Sequence, residues 1–245
     1  MSWDKSADWY DRLVGSEGHY YHEKVVIPKA LSLLNLGSEG KFLDLGCGQG
    51  VLAQKIPRDM HYVGLDASKT LIDHALSRRG KNAKFLVHDL CAKPFPEEAK
   101  GGTHAAFILS LQNMSDGEKA IKHSALSLTK GGKLLIVMNH PCFRIPRQSG
   151  WEIDNGKKLK FRRIDRYMTP LDIPITTNPG KTSSHETISY HNPLSTYFQW
   201  LQKANYKVLA VEEWCSDKVS EGPKKPMEDR ARKEFPLFLA ILAVL

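Results

Sequence analysis

Apolar positions in this chain fall into short runs separated by turn-forming residues, and their spacing changes along the chain. Trp3, Trp9, Tyr10, Leu13 and Val14 recur at intervals near three and four, which predicts an amphipathic helix broken at Gly15 and Gly18. A second helical segment spans 19–36, where Pro28 fits a first helical position or a kink and Leu31, Leu33 and Leu34 pack behind it. From residue 42 the pattern alternates. Apolar runs of strand length at 42–45, 61–65, 84–87, 104–111 and 133–138 are separated by helical segments. Residues 51–56 read as the start of one helix. Ser68 is placed to cap another, which buries Leu71, Ile72, Ala75 and Leu76 and stops at Gly80. Asp116 opens a third, with Ile121, Ala125 and Leu128 inward, closed by Gly131 and Gly132. Strands alternating with helices at this spacing predict an open, mostly parallel α/β sheet.

The alternation stops at residue 139. Residues 139–192 are rich in turn formers, charge and aromatics, with 151–154 and 158–164 as strands of a hairpin around Asn155-Gly156. Asn192 as cap and Pro193 in the first turn open a helix with Leu194, Tyr197, Phe198 and Leu201 on one face, ended by Asn205 in the left-handed conformation. Residues 206–214 and 235–244 read as final strands, joined by a charged loop containing Gly222-Pro223 and Pro226.

Composition narrows the class. At 245 residues, 41% hydrophobic and 25% charged, the chain is one globular domain, or one with an insertion. The N-terminal residues lack the basic-then-apolar layout of a signal peptide, and the longest apolar run, 236–245, is too short for a membrane-spanning helix. Cys47, Cys91, Cys142 and Cys215 show no Cys-x-x-Cys pairing, which suits reduced thiols in a cytoplasmic protein. The net charge is +8, and residues 141–168 alone hold eight Lys or Arg against three Asp or Glu, a local +5. Such a patch fits nucleic acid, an anionic small substrate or a solvated charged hairpin.

The run from Lys41 to Gly50, Lys-Phe-Leu-Asp-Leu-Gly-Cys-Gly-Gln-Gly, carries the most specific chemical signal. A buried strand turns through Gly46, Gly48 and Gly50, bringing bare backbone up to whatever lies above the strand tip. The dinucleotide fingerprint needs its third glycine three residues after the second, where this chain has Val51. Asp44 precedes the turn; a carboxylate there repels a pyrophosphate and suits a cationic ligand.

Asp-x-Gly-x-Gly-x-Gly resembles the first motif of class I S-adenosylmethionine-dependent methyltransferases, and seven strands with the last two consecutive resemble that family's sheet. The resemblance covers roughly residues 38–138 and 192–245. The segment 190–195, Tyr-His-Asn-Pro-Leu-Ser, brings it nearest to small-molecule methyltransferases of the quinone and polyketide type. It implies a Rossmann-like, seven-stranded, mostly parallel sheet. Residues 1–37 would form an N-terminal helical cap, 38–245 the methyltransferase domain, and 139–191 a substrate-covering insertion after strand five.

The resemblance also implies a site. Asp44, Gly46, Cys47, Gly48 and Gly50 would pass under the amino-acid part of S-adenosylmethionine. Asp66, sixteen residues after Gly50, would accept from the ribose hydroxyls, with Ala67 and Ser68 beside it. Asp89 and Leu90 would meet the adenine, and Ser110 and Gln112 the methionine part or the acceptor. His140, after strand five, and His191 are the candidate proton acceptors, needed only if the acceptor must lose a proton; His185 flanks the same insertion. Tyr20, Tyr21, Asn113, Arg144 and Trp151 are candidates for the acceptor side, with Tyr10 as a further tyrosine near the cofactor. Trp151, Phe161 and Tyr167 would form an apolar lid. His19 and His22 lack further metal ligands in sequence, so no metal site is expected. The expected function is methyl transfer to a small aromatic or lipid-like molecule, by a monomer or homodimer. RNA methylation through the basic insertion and a non-catalytic cofactor-binding module are the alternatives.

Overall fold

The computed structural model describes residues 19–77, 82–177 and 185–245. The helix expected over 3–16, with Tyr10, and the stop at Gly80 lie outside the described residues.

Residues 20–34 are helical, with a π-turn at His22–Val26 followed by helix α1, Ile27–Leu34. Ile27 N–H reaches back to His22 O, one residue further than an α-helical bond. Pro28, lacking an N–H, follows directly, so the kink allowed by its sequence takes the form of an inserted residue. Then come β1 Lys41–Leu45, β2 His61–Asp66, α2 Lys69–Ser77, β3 Ala83–Val87, β4 Gly102–Ile108, α3 Gly117–Ala125 and β5 Leu128–Asn139. Two antiparallel hairpins follow, β6 Ser149–Asp154 with β7 Leu159–Ile164, and β8 Leu171–Thr177 with β9 His185–His191. The chain closes with α4 Leu194–Lys203, β10 Lys207–Trp214, α5 Lys225–Glu234 and β11 Phe238–Val244.

The central sheet has the order β3-β2-β1-β4-β5-β11-β10. Its first five strands run parallel, and β11 lies antiparallel to both neighbours. Period-two alternation sorts the core. Leu43, Leu45, Val63, Leu65 and Phe107 join Ile121 of α3 and Leu201 of α4 on one face. Phe42, Tyr62 and Phe85 join Leu34 of α1 and Ile72 of α2 on the other. β1 is central, so no alternation in its apolar content was needed for burial on both faces. The chain order reverses between β1 and β4, leaving a crevice above those tips where a sheet of this kind takes its ligand.

Four elements differ from the expectation. Residues 51–56 start no α-helix; Val51–Lys55 is a 3₁₀ turn. Gly131 and Gly132 do not close α3, which ends at Ala125; they lie inside β5, where Leu128 pairs with Gly102 before a bulge. Helix α4 is not capped by Asn192. Pro193 is its N-cap, and the Tyr167 hydroxyl accepts from the Leu194 amide at 3.0 Å. The charged loop before the last strand contains α5, whose one buried residue is Ala231; with so thin an apolar stripe, periodicity could not reveal it. Pro226 sits in its first turn, where the missing N–H costs nothing.

Candidate active site

β1 ends in a turn that only glycine builds cheaply. Gly46 has φ +78°, and a Cβ there would meet the Ser110 Cβ at 2.5 Å. The turn is clasped from β2: the Gly46 and Cys47 amides donate to Leu65 O at 2.8 and 3.0 Å. Asp66 completes the clasp, taking the Gly48 amide on Oδ2 at 2.9 Å and the Ser68 amide on Oδ1 at 2.8 Å. Each carboxylate oxygen can accept more than one hydrogen bond, and Asp66 lines the cleft above the turn. Ser110 Oγ donates to Leu45 O at 2.6 Å, tying the β4 tip to the same turn, and Asp89 Oδ1 holds the Cys91 amide at 2.9 Å.

Above these tips lies a cleft of about 760 Å³. One end is lined by Gly46, Gly48, Asp66, Ala67, Asp89 and Leu90. Ser110, Gln112 and Asn113 line its middle, and Asn139, Arg144 and Phe238 its other end, with Tyr21 from the N-terminal helix. The second hairpin walls that end with Ile175, Thr187, Ser189 and Tyr190. Beneath the glycine turn a small recess connects His22, Asp44, Cys47 and Gln49.

The recess is electrostatically unusual. Burial pushes the Asp44 carboxyl up to about 7, although the Tyr62 hydroxyl donates to it and pulls the other way. Burial lowers His22 to about 4, so its ring is neutral at pH 7 and one nitrogen must accept. Its buried Nδ1 has no hydrogen-bond partner among the described residues, and neither has Gln112 Oε1. Both side chains line the cleft. Buried polar atoms without partners are costly unless a ligand supplies them.

Several expected residues stand elsewhere. His140 is buried, its Nε2 bonded to Glu213 Oε1 at 2.6 Å and its Nδ1 accepting from the Cys142 amide at 3.2 Å; both ring nitrogens are engaged away from the cleft. His191 is likewise buried and holds Tyr167 O at 2.8 Å. Neither lines the cleft, which removes the geometric basis for a proton-transfer role. Tyr20 is exposed and donates to Asp217, while its neighbour Tyr21 points inward against Phe238. Trp151 and Phe161 lie on the first hairpin, exposed, and Tyr167 caps α4, so the three do not form the expected lid. Ser68 caps α2 through the Leu71 amide, and Gly50 packs beneath the turn, where a Cβ would strike Phe85. Sequence reasoning missed His22, Tyr190 and Phe238. A neutral histidine beside a proline-adjacent π-turn has no periodic signature, and the other two reach the cleft only through long-range strand pairing.

Comparison with known proteins agrees with this geometry. Residues 42–132 match the family model described as a methyltransferase domain. No curated relative matches the chain at a significant level. Among solved structures, an S-adenosylmethionine-dependent methyltransferase from Mesorhizobium loti superposes with a TM-score of 0.72 at 21% identity, covering 91% of this chain and 99% of that one. Another from Clostridium acetobutylicum gives 0.63 at 16%, covering 100% and 99%. DhpI, in a complex with SAM and HEP, gives 0.64 at 16%, covering 98% and 93%. Residues 42–132 therefore resemble a methyltransferase domain, and they are set within the fold of the class I S-adenosylmethionine-dependent methyltransferases.

Proposed function

We propose that the protein transfers a methyl group from S-adenosylmethionine to a small-molecule acceptor. The observation that carries this reading is the division of one cleft into two ends of opposite character. Two carboxylates and a glycine turn stand at one end. A compartment walled by Tyr21, Phe238 and the second hairpin stands at the other.

The residues at the first end fit the cofactor. Asp66 brings to the cleft a carboxylate, the acceptor-only group that suits a diol, and Asp89 stands one strand further out, towards the adenine. With its proton on Nε2, His22 presents a bare Nδ1, which together with Oε1 of Gln112 suits the donors of an α-ammonium group. Asp44, with its raised pKa, gains a reason to ionise when a cation lies nearby. When bound, the cofactor supplies a methyl already activated on a sulfonium. The chain's own residues then have to align the acceptor and exclude water, and that arrangement provides most of the rate. Neither His140 nor His191 reaches the compartment, so the reading assigns no histidine base from strand five or the insertion.

Charge pairing favours a small acceptor over RNA. Arg163 meets Glu152 at 3.2 Å and Asp165 at 3.3 Å, and Lys160 meets Glu228 at 3.7 Å. Part of the basic first hairpin is therefore neutralised within the protein, and that hairpin contributes nothing to the cleft lining. The test is to incubate the enzyme with methyl-labelled S-adenosylmethionine and a host extract split into metabolites and RNA. Label entering the metabolite fraction is expected. Label confined to RNA would overturn the small-molecule reading.

A further inference from the structure

The acceptor end of the cleft carries a fixed positive charge with no acid to match it among the described residues. Arg144 lies in the loop after β5, half-buried. Its Nη1 donates to Asn139 Oδ1 at 2.7 Å and more weakly to Leu237 O at 3.4 Å. Its guanidinium lies over the Phe238 ring, 5.3 Å from the centroid. Two neutral oxygens and a ring face therefore fix the group in place, while no carboxylate pairs with it among the described residues. Arg162 comes close enough to repel it. A guanidinium remains charged when buried, so such a site bears an uncompensated desolvation cost in the free protein. An incoming anion removes that cost and finds the remaining N–H donors already oriented.

The position of Arg144 assigns that anion to the acceptor. It is bonded to the β5 tip, and β5 is separated from β2, which bears Asp66, by β4 and β1. At roughly 4.8 Å per strand, three spacings put the two tips about 14 Å apart. Around Arg144 the lining is uncharged. Tyr21 stands edge-on to Phe238 at 5.8 Å between ring centroids. Pro146 and Ile175 add apolar surface, and Thr187 and Ser189 add hydroxyls. The acids lining the cleft, Asp66 and Asp89, belong to the opposite end.

We infer that the methyl acceptor is an organic oxyanion: a molecule with an apolar or aromatic body that sits against Tyr21, Phe238 and Ile175, and a carboxylate or phosphoryl head held by Arg144. This deepens the methyltransferase reading and rests on it. Arg144 is then the residue that selects the substrate class.

The test uses the full chain saturated with S-adenosylhomocysteine, titrated with benzoate, phenylphosphonate and the neutral isostere benzamide, with binding read by ligand-observed NMR. Wild-type protein should bind at least one of the two anions roughly 10- to 100-fold more tightly than benzamide, the range expected for a charge-assisted contact. Which anion wins distinguishes a carboxylate from a phosphoryl head. Arg144→Gln should erase the preference while leaving S-adenosylhomocysteine affinity within about twofold, and Arg144→Lys should keep part of it. Equal binding of anions and benzamide by the wild type, or a preference that survives Arg144→Gln, overturns the inference. So does a large loss of S-adenosylhomocysteine affinity in Arg144→Gln, because the arginine would then serve the cofactor's carboxylate. If wild-type protein does not bind S-adenosylhomocysteine at all, the methyltransferase reading fails instead.

Discussion

The two ends of the cleft are made in different ways. The β1–β2–β3 end is built from consecutive strand tips. Its polar contacts, from Gly48 and Ser68 to Asp66 and from Cys91 to Asp89, join backbone amides to acids only a few residues from a turn. The β5–β11 end is built from side chains far apart in sequence. Tyr21, Asn139, Arg144, Thr187 and Phe238 meet there because the second hairpin, the N-terminal helix and an antiparallel strand converge. The first construction tolerates variation in most side chains, since backbone does the holding. The second changes whenever a loop changes. On the proposed reading, one end therefore fixes the cofactor, and the other is free to choose the acceptor.

Substitutions break this comparison to different degrees. The largest effect belongs to Asp66→Ala, which removes the acceptor of two turn amides and of the ribose hydroxyls assigned to it. Calorimetric affinity for S-adenosylhomocysteine should fall at least roughly 100-fold, two charge-assisted bonds being worth about 3 kcal/mol or more. An affinity within threefold of wild type would remove Asp66 from the first end. His22→Leu comes next, at about tenfold, corresponding to one lost bond of about 1.4 kcal/mol. Its acceptor KM should stay unchanged; a shift in acceptor KM alone would move His22 to the second end.

Asp44→Asn sharpens the comparison through pH. In the folded protein burial holds this carboxyl near 7, while in the unfolded chain it ionises near 3.8. Its contribution to stability is therefore complete below pH 4 and lost as pH rises through 7. Ligand-free Asp44→Asn should melt like wild type at pH 4 and at higher temperature at pH 8, yet bind S-adenosylhomocysteine a few-fold more weakly at pH 8. A melting difference that does not grow between pH 4 and 8 contradicts a buried, protonated Asp44. The smallest effect on activity belongs to His140→Ala. Turnover should change less than about twofold, while unfolding loses roughly 1 kcal/mol with the Glu213 and Cys142 contacts. A tenfold fall in turnover with unchanged melting would return His140 to the chemistry.

The same division explains what could be read from the residues. The five parallel strands and the glycine turn were legible because each is local: a run of apolar residues, then glycine or aspartate at fixed distance. Gly46, Gly48, Asp66 and Asp89 line the cleft as their spacing implies. His140 faces away from the cleft for a physical reason. Adjacency to a strand tip says nothing about which way a ring turns, and β10 supplies Glu213 on the far side. Trp151 lies off the cleft likewise, because either hairpin of residues 139–191 could have lined it, and the second one does. Helix α5 stayed hidden because a helix that buries only Ala231 has almost no apolar period.

The most direct test of the two-ended cleft is the structure of the complex with S-adenosylhomocysteine. The account predicts both ribose hydroxyls within hydrogen-bonding distance of Asp66, the adenine beside Asp89, the α-ammonium near His22, and the sulfur facing the compartment that holds Arg144. An adenine seated between Phe238 and the second hairpin, or a cofactor carboxylate paired with Arg144, would contradict it.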